Sequence, residues 1–304
     1  MINSFDEIIA KVKSKSLRKL SVAVAQDEPV LQAVKEAKEN GIVDAILVGD
    51  KDEIEKVADT INMDLSGFEI VDIKDVHEAT LKAVEIVSSG KADMLMKGLV
   101  DTKTFLKSVL NKEVGLRTGN LMSHVAIFET EKFDRLLFLT DVAFNVFPTL
   151  EDKVKIINNA AKVAHAVGIE EPKVAAVCAV EVVNKNMPNT VEANALAEMY
   201  KEGKFEGCIV DGPFALDNAI SEEAAHHKGV TGPVAGKADI LLLPNIEAGN
   251  IMYKTLTYTT DSKNGCILVG TSAPVVLTSR ADSSETKMYS IALASLVSSH
   301  GKEN

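Results

Sequence analysis

Leu20-Ser-Val-Ala-Val-Ala25, the helical positions Val30, Leu31, Val34 and Ala37 behind Pro29, the stop at Asn40-Gly41, and Ala45-Ile-Leu-Val-Gly49 together decide the fold. The first and last runs are continuously apolar, as strands are when a sheet is covered on both faces. Between them, the spacing predicts one helix that begins near Pro29 and ends at Asn40-Gly41. A strand, a helix and a second buried strand make a parallel α/β unit.

The same unit recurs on either side. A helix from about Asp75 to Ser89 carries Leu81, Val84 and Val87 on one face and stops at Gly90; Met94-Leu-Met-Lys-Gly98 is the next strand. Strand-like runs follow at Val125-Ala-Ile-Phe128 and Leu136-Leu-Phe-Leu139. Thr149-x-x-Asp152 reads as a capping box for a helix that stops at Gly168, and Asn189-x-x-Glu192 as a second one for a helix ending near Gly203. Further strands are expected at Val174 to Ala179, Gly207 to Val210, Asp239 to Leu243 and Ile267 to Gly270. Phe144-Asn-Val-Phe-Pro148 is the clearest break in the middle of the chain.

Bulk properties narrow the class of function. The 304 residues suffice for two domains, and 46% hydrophobic with 25% charged residues is a globular balance. A net charge of -11 argues against nucleic acid as a partner, because binding it requires a basic face. It leaves room for small anions, which a few local cations can hold. No apolar run approaches the roughly 18 residues that span a bilayer, so no membrane association is expected. The first 19 residues lack the apolar core of a signal peptide. Cys178, Cys208 and Cys266 form no CxxC pair, so no metal is expected, and sparse cysteines suit a cytoplasmic protein. His226-His227 are neighbours and point apart on a helix, unlike ligands at i and i+4.

In parallel sheets, ligands bind beyond the carboxyl ends of the strands. Lys97-Gly98, Asp141, Asp211-Gly-Pro213 and Pro244-Asn-Ile-Glu-Ala-Gly-Asn250, with Asn245 and Glu247, all follow strand runs. Residues of these types also end strands simply because they make turns. In Gly270-Thr-Ser-Ala-Pro-Val-Val-Leu-Thr-Ser-Arg-Ala-Asp282, Thr278, Ser279 and Arg280 precede a helix. Two hydroxyls, a guanidinium and a helix N-terminus suit an oxyanion such as phosphate. Asp282 and Glu285 have the spacing of a capping box, and either is alternatively a general base for a thiol. Arg117, between Gly115 and Gly119, is an anion contact or part of an ordinary turn. No GxxxxGK[ST], GxGxxG or GxSxG is present.

Lys97-Gly-Leu-Val, Thr140-Asp-Val-Ala-Phe-Asn145, Val234-Ala-Gly-Lys-Ala-Asp-Ile-Leu-Leu-Leu-Pro-Asn-Ile-Glu-Ala-Gly-Asn250 and Leu277-Thr-Ser-Arg280 resemble the phosphate acetyl/butyryltransferase family, over essentially the whole chain. Residues 113–119, 222–232 and 253–265 look like its butyryl branch. The resemblance implies two three-layer α/β domains with an interdomain cleft, a fold shared with isocitrate and isopropylmalate dehydrogenases. Domain I would be discontinuous, residues 1–143 and 271–304, and domain II would be 144–270. It implies reversible transfer of a butyryl group from acyl-CoA to inorganic phosphate in a ternary complex. CoA thioester and phosphate are then substrates, with no permanently bound cofactor, and the protein is a homodimer or larger. Ser279 and Arg280 match a site pair of the acetyl branch. Where that branch has its proposed base this chain has Thr286, which leaves Asp282 and Glu285 as the nearby carboxylates. Family arginines correspond to Lys107 and Arg135, and Asn145 falls within a shared segment. Two rivals remain: a metal- and NAD-dependent decarboxylase using Asp211 and Glu247, and an acyl-CoA-binding module without turnover.

Overall fold

The structure is a computed structural model that describes residues 2–303. In chain order its elements begin α1 (Phe5–Lys13), β1 (Arg18–Ala23), α2 (Glu28–Glu39), β2 (Val43–Gly49), α3 (Lys51–Thr60), β3 (Glu69–Asp72), α4 (Val76–Ser88), β4 (Met94–Lys97) and α5 (Thr102–Val109). They continue with β5 (Ser123–Glu129), β6 (Leu137–Thr140), α6 (Leu150–Val167), β7 (Lys173–Val177), α7 (Pro188–Lys201), β8 (Ile209–Phe214), α8 (Leu216–Ile220), α9 (Glu222–His227), β9 (Ile240–Leu242) and α10 (Ile246–Thr259). The last are β10 (Lys263–Val269), β11 (Val275–Val276) and α11 (Ser284–Glu303).

The chain forms two compact units. The first contains Phe5–Asn120 and the chain from Asn264 onward; the second contains Leu121–Lys263. The sequence reading places these passages at 143 and 270. They fall earlier because β6 pairs with β9, which ties β5 and β6 to the later strands, and because β10 pairs with β11.

In the first unit the strand order is β3-β2-β1-β4-β11-β10, parallel except for β10 against β11. Leu20, Val22, Leu47, Met94 and Leu95 are fully buried in it. Each such side chain contributes about 1.5–3 kcal/mol by leaving water. Helix α11 packs on α2 and α1, and the Phe5 and Tyr289 rings stack with centroids 4.5 Å apart. In the second unit the order is β5-β6-β9-β7-β8, with β5 antiparallel to β6 and the remaining pairs parallel. The continuous apolar runs therefore sit in mainly parallel sheets, as their composition predicts.

The start of α6 has the expected capping box between Thr149 and Asp152, and Gly168 ends it in the left-handed conformation (φ 97°). The start of α7 differs from expectation. Pro188 opens it, Met187 is the cap residue without a side-chain hydrogen bond, and Asn189 and Glu192 form no capping box. Glu192 instead accepts a hydrogen bond from the buried Lys153 of α6. Asp211-Gly-Pro213 does not end its strand either. It lies within β8, where the register against β7 shifts. A proline is tolerated there because β8 stands at the end of its unit's strand order and the ladder is already irregular.

Candidate active site

In the first unit β1 lies between β2 and β4, so the connections leave it in opposite directions and the carboxyl ends of β1 and β4 form a topological switch point, where sheets of this kind bind ligands. The backbone is tight at that point. Val24, just past β1, has φ 56°, an uncommon conformation for a β-branched residue. Gly98 donates to the Ala23 carbonyl at 2.9 Å and Leu99 to the Val24 carbonyl at 2.8 Å. A Cβ on Gly98 would stand 2.3 Å from the Val24 oxygen, so only glycine lets the turn approach this closely.

That turn fixes Lys97, the last residue of β4, which is only 6% exposed. Its amine reaches the Gly98 carbonyl, at a weak 3.4 Å. Burial pulls its pKa below the ordinary lysine value; the charge of Arg280 and then that of Lys287 act in the same direction, against Asp27 and Asp101. Asp27 caps α2 and Asp101 caps α5 through their carboxylates. A buried ammonium so poorly partnered, with further cations close by, is an arrangement an anion would stabilise.

The second part of this site is the loop between β11 and α11. The Ser279 amide donates to Oδ2 of Asp282 at 2.7 Å, and the Asp282 amide returns to the Ser279 carbonyl at 3.2 Å. Lys287 Nζ donates to the carbonyls of Asp282 at 2.5 Å and Ser279 at 3.3 Å. Arg280 rises exposed from the middle of this turn, with no hydrogen bond or ion pair among the described residues. Thr278 is buried just before it. The Asp282 and Glu285 capping box expected from sequence is absent. Helix α11 begins one residue later, Ser283 Oγ accepts the Thr286 amide at 3.1 Å, and Glu285 accepts from the Tyr289 hydroxyl at 3.0 Å. Thr286 donates its hydroxyl to Asn264 at 2.7 Å and is buried. Lys97, Arg280 and the N-terminal end of α11 are the positively charged or donor-rich elements of this unit, with the chemistry that suits an anion.

The remaining candidates of the first unit, Lys107 on α5 and Arg117 in the following loop, are exposed and make no hydrogen bond or ion pair among the described residues. In the second unit Asp141 is 2% exposed and fully engaged. Its carboxylate accepts from the amides of Ala143 (2.9 Å), Phe144 (2.9 Å) and Asn145 (3.1 Å) and from Nδ2 of Asn145 (2.6 Å). Asn145 also donates to the Met122 carbonyl at 2.9 Å. Asn245 caps α10 through the Ala248 amide, and Glu247 stands exposed in its first turn. A Cβ on Gly249 would meet the Asp141 oxygen at 2.2 Å, so α10 and the loop after β6 are pressed together. Asp141 and Asn145 thus shape this loop. Arg135 donates to the carbonyls of Ala238 and Gly236, which fixes the segment before β9. Burial raises the Asp211 pKa.

The sequence profile described as phosphate acetyl/butaryl transferase matches residues 4–79 and 74–295. The chain belongs to that family. It is 72% identical to a phosphate butyryltransferase of Clostridium acetobutylicum, over 98% of this chain and 99% of that one. It is 68% identical to a phosphate butyryltransferase of Clostridium beijerinckii, over 99% and 100%. Among solved structures it matches a branched-chain phosphotransacylase from Enterococcus faecalis at 35% identity and a TM-score of 0.84, covering 93% of this chain and 99% of that one. The segments that resemble the family occupy two settings. Lys97-Gly98 and residues 277–280 build the cation site of the first unit, and residues 140–145 and 244–250 buttress one another in the second.

Sequence reasoning missed Lys287, Val24 and the pairing of Thr286 with Asn264. A lysine in the first turn of a helix reads as a solvent-facing residue, and nothing local distinguishes this one. Among the described residues no group of three or more His, Cys, Asp and Glu stands together as metal ligands, and no helix is long and apolar enough to cross a membrane.

Proposed function

We propose that this protein transfers a butyryl group reversibly between coenzyme A and inorganic phosphate. The observation that carries the reading is the unpartnered Arg280 guanidinium together with the buried Lys97 amine, at the sheet's topological switch point. Its relatives' activity supports the choice of substrates.

Phosphate would be held by the planar fork of Arg280 and by Lys97, with the hydroxyls of Thr278 and Ser279 at hand. A phosphate oxygen attacks the thioester carbonyl and forms the new C–O bond. The tetrahedral oxyanion collapses, the C–S bond breaks, and coenzyme A leaves as a thiolate that takes up a proton. Positioning of the two substrates supplies most of the acceleration. No nucleophile of the protein is needed, and burial favours this: it pushes the thiols of Cys178 and Cys208 up to about 11, so both stay protonated at neutral pH. In reverse, the thiol's proton goes to Asp282 or Glu285. Asp282→Asn and Glu285→Gln would separate them, since only loss of the base removes the acidic limb of the reverse pH profile. All three cysteines are free, which fits a reducing, cytoplasmic setting, and a homodimer or larger assembly is part of the reading.

The test is thiol release from acyl-CoA thioesters of increasing chain length, with and without phosphate. Phosphate-dependent release, fastest with butyryl, is the expected result. Release without phosphate would make the protein a thioesterase and overturn the reading.

A further inference from the structure

Lys287 has an unusual position. It lies in the first turn of α11, where the helix dipole disfavours a cation, and it is 3% exposed. Burial lowers its pKa, against the opposing charges of Asp282 and Asp27. A lysine in a first turn normally extends into solvent. This one turns inward, and both of its recorded hydrogen bonds go to main-chain carbonyls, those of Ser279 and Asp282.

Those two carbonyls flank Arg280. The Ser279 carbonyl also accepts the Asp282 amide, and the Asp282 side chain accepts the Ser279 amide. The turn is thus closed at its base by three donors, two main-chain amides and one buried amine. Arg280, at the apex, has no hydrogen bond of its own among the described residues to fix it. Its placement depends on the turn beneath it.

We propose that Lys287 is a positioning residue for phosphate: by holding the Ser279 and Asp282 carbonyls it sets the turn that presents Arg280. The inference rests on the phosphate reading of the site and adds a residue to it. Lys287 touches neither substrate in this account. It acts through the backbone, and its loss is felt as misplacement of Arg280, which for a displacement near 1 Å lowers turnover about a hundredfold.

The test compares wild type with Lys287→Met, which keeps volume without the donor, and Lys287→Ala, which leaves room for an added amine. Four quantities are measured: kcat, KM for phosphate, KM for butyryl-CoA, and the rise in melting temperature caused by phosphate alone. Both variants are expected to keep the circular dichroism of wild type and an unchanged KM for butyryl-CoA. Their kcat/KM for phosphate should fall about a hundredfold. Propylammonium, but not propanol, should restore Lys287→Ala. Wild-type kinetics in Lys287→Met would overturn the proposal. So would a loss of melting temperature with unaltered kinetics, or a loss of turnover that propylammonium does not recover, since each describes a purely structural lysine. If wild type released no thiol, the acyl-transfer reading would fail by itself. The phosphate-induced melting shift, which needs no turnover, would still decide the role of Lys287: kept in Lys287→Met it refutes that role, lost there it supports it.

Discussion

Replacing Lys97 by methionine should make the protein more stable and nearly inactive. The amine is 6% exposed, has one carbonyl at 3.4 Å and lies near the positive charges of Arg280 and Lys287. Methionine fills a similar volume without a charge to desolvate. Exchanging buried ion pairs for well-packed apolar groups of like volume is often neutral or stabilising by about 1–4 kcal/mol, and a charge with a poorer partner has less attraction to lose. The acids Asp27 and Asp101 offset part of the penalty, so the lower end, about 1–2 kcal/mol, is expected here. At about 2–4 °C per kcal/mol for chains somewhat shorter than this one, the melting temperature should rise by a few degrees. The pH dependence has a fixed sign. The folded-state pKa lies below the unfolded value of 10.5, so the unfolded chain binds more protons between the two. Wild type therefore gains stability as pH rises through the lowered pKa, and the advantage of the methionine variant should shrink in that alkaline window. Turnover should drop by about two to three orders of magnitude with the loss of one preorganised donor to the phosphate. Differential scanning calorimetry from pH 7 to 10.5 and the thiol-release assay read both effects. A variant that melts lower than wild type and still turns over would refute the account of Lys97 as an anion ligand.

Arg280→Ala should lower phosphate-dependent turnover by about two to three orders of magnitude while leaving the melting curve in place, because the side chain is exposed and bonds to nothing among the described residues; near-normal rates would remove Arg280 from the site. Gly98→Ala places a Cβ 2.3 Å from the Val24 oxygen and 2.6 Å from the Ala23 oxygen, so the turn after β4 must shift. A loss of about 1–3 kcal/mol in calorimetry is expected together with a raised KM for phosphate. The Cys178 thiol, pushed up to about 11 by burial, should react slowly with a disulfide reagent at pH 7.5 and faster only toward that pKa, as stopped-flow labelling of single-cysteine variants would show.

The candidate site was partly legible in the sequence, and the reasons differ from residue to residue. Arg280 and Ser279 are readable because hydroxyls and a guanidinium before a helix form a local pattern with an anion-binding rationale. Lys97 is readable because it closes an apolar run. Asp141 is readable as a polar residue that closes a strand, but the hydrogen bonds that hold it are not. Its four hydrogen bonds come from the backbone and Asn145 within the next four residues, a geometry that a sequence spacing does not reveal. Asp282 and Glu285 have correct capping spacing, yet Ser283 takes the cap, because Asp282 is drawn to the Ser279 amide. Asn189 and Glu192 fail as a capping box for a similar reason, with Glu192 drawn to Lys153 across the fold.

The sequence by itself determined the elements and their class. Continuous apolar strands, amphipathic helices and glycine or proline stops are local signals, fixed by the period of the backbone and by burial on both faces of a sheet. Tertiary structure alone decided which ends meet. That β1 is the switch strand, that Gly98 must lie against Val24, and that a lysine eight residues beyond Ser279 turns inward to hold its carbonyl all depend on contacts between different segments of the chain. Such contacts are set by packing and by the desolvation of buried charge, which no single stretch of sequence records.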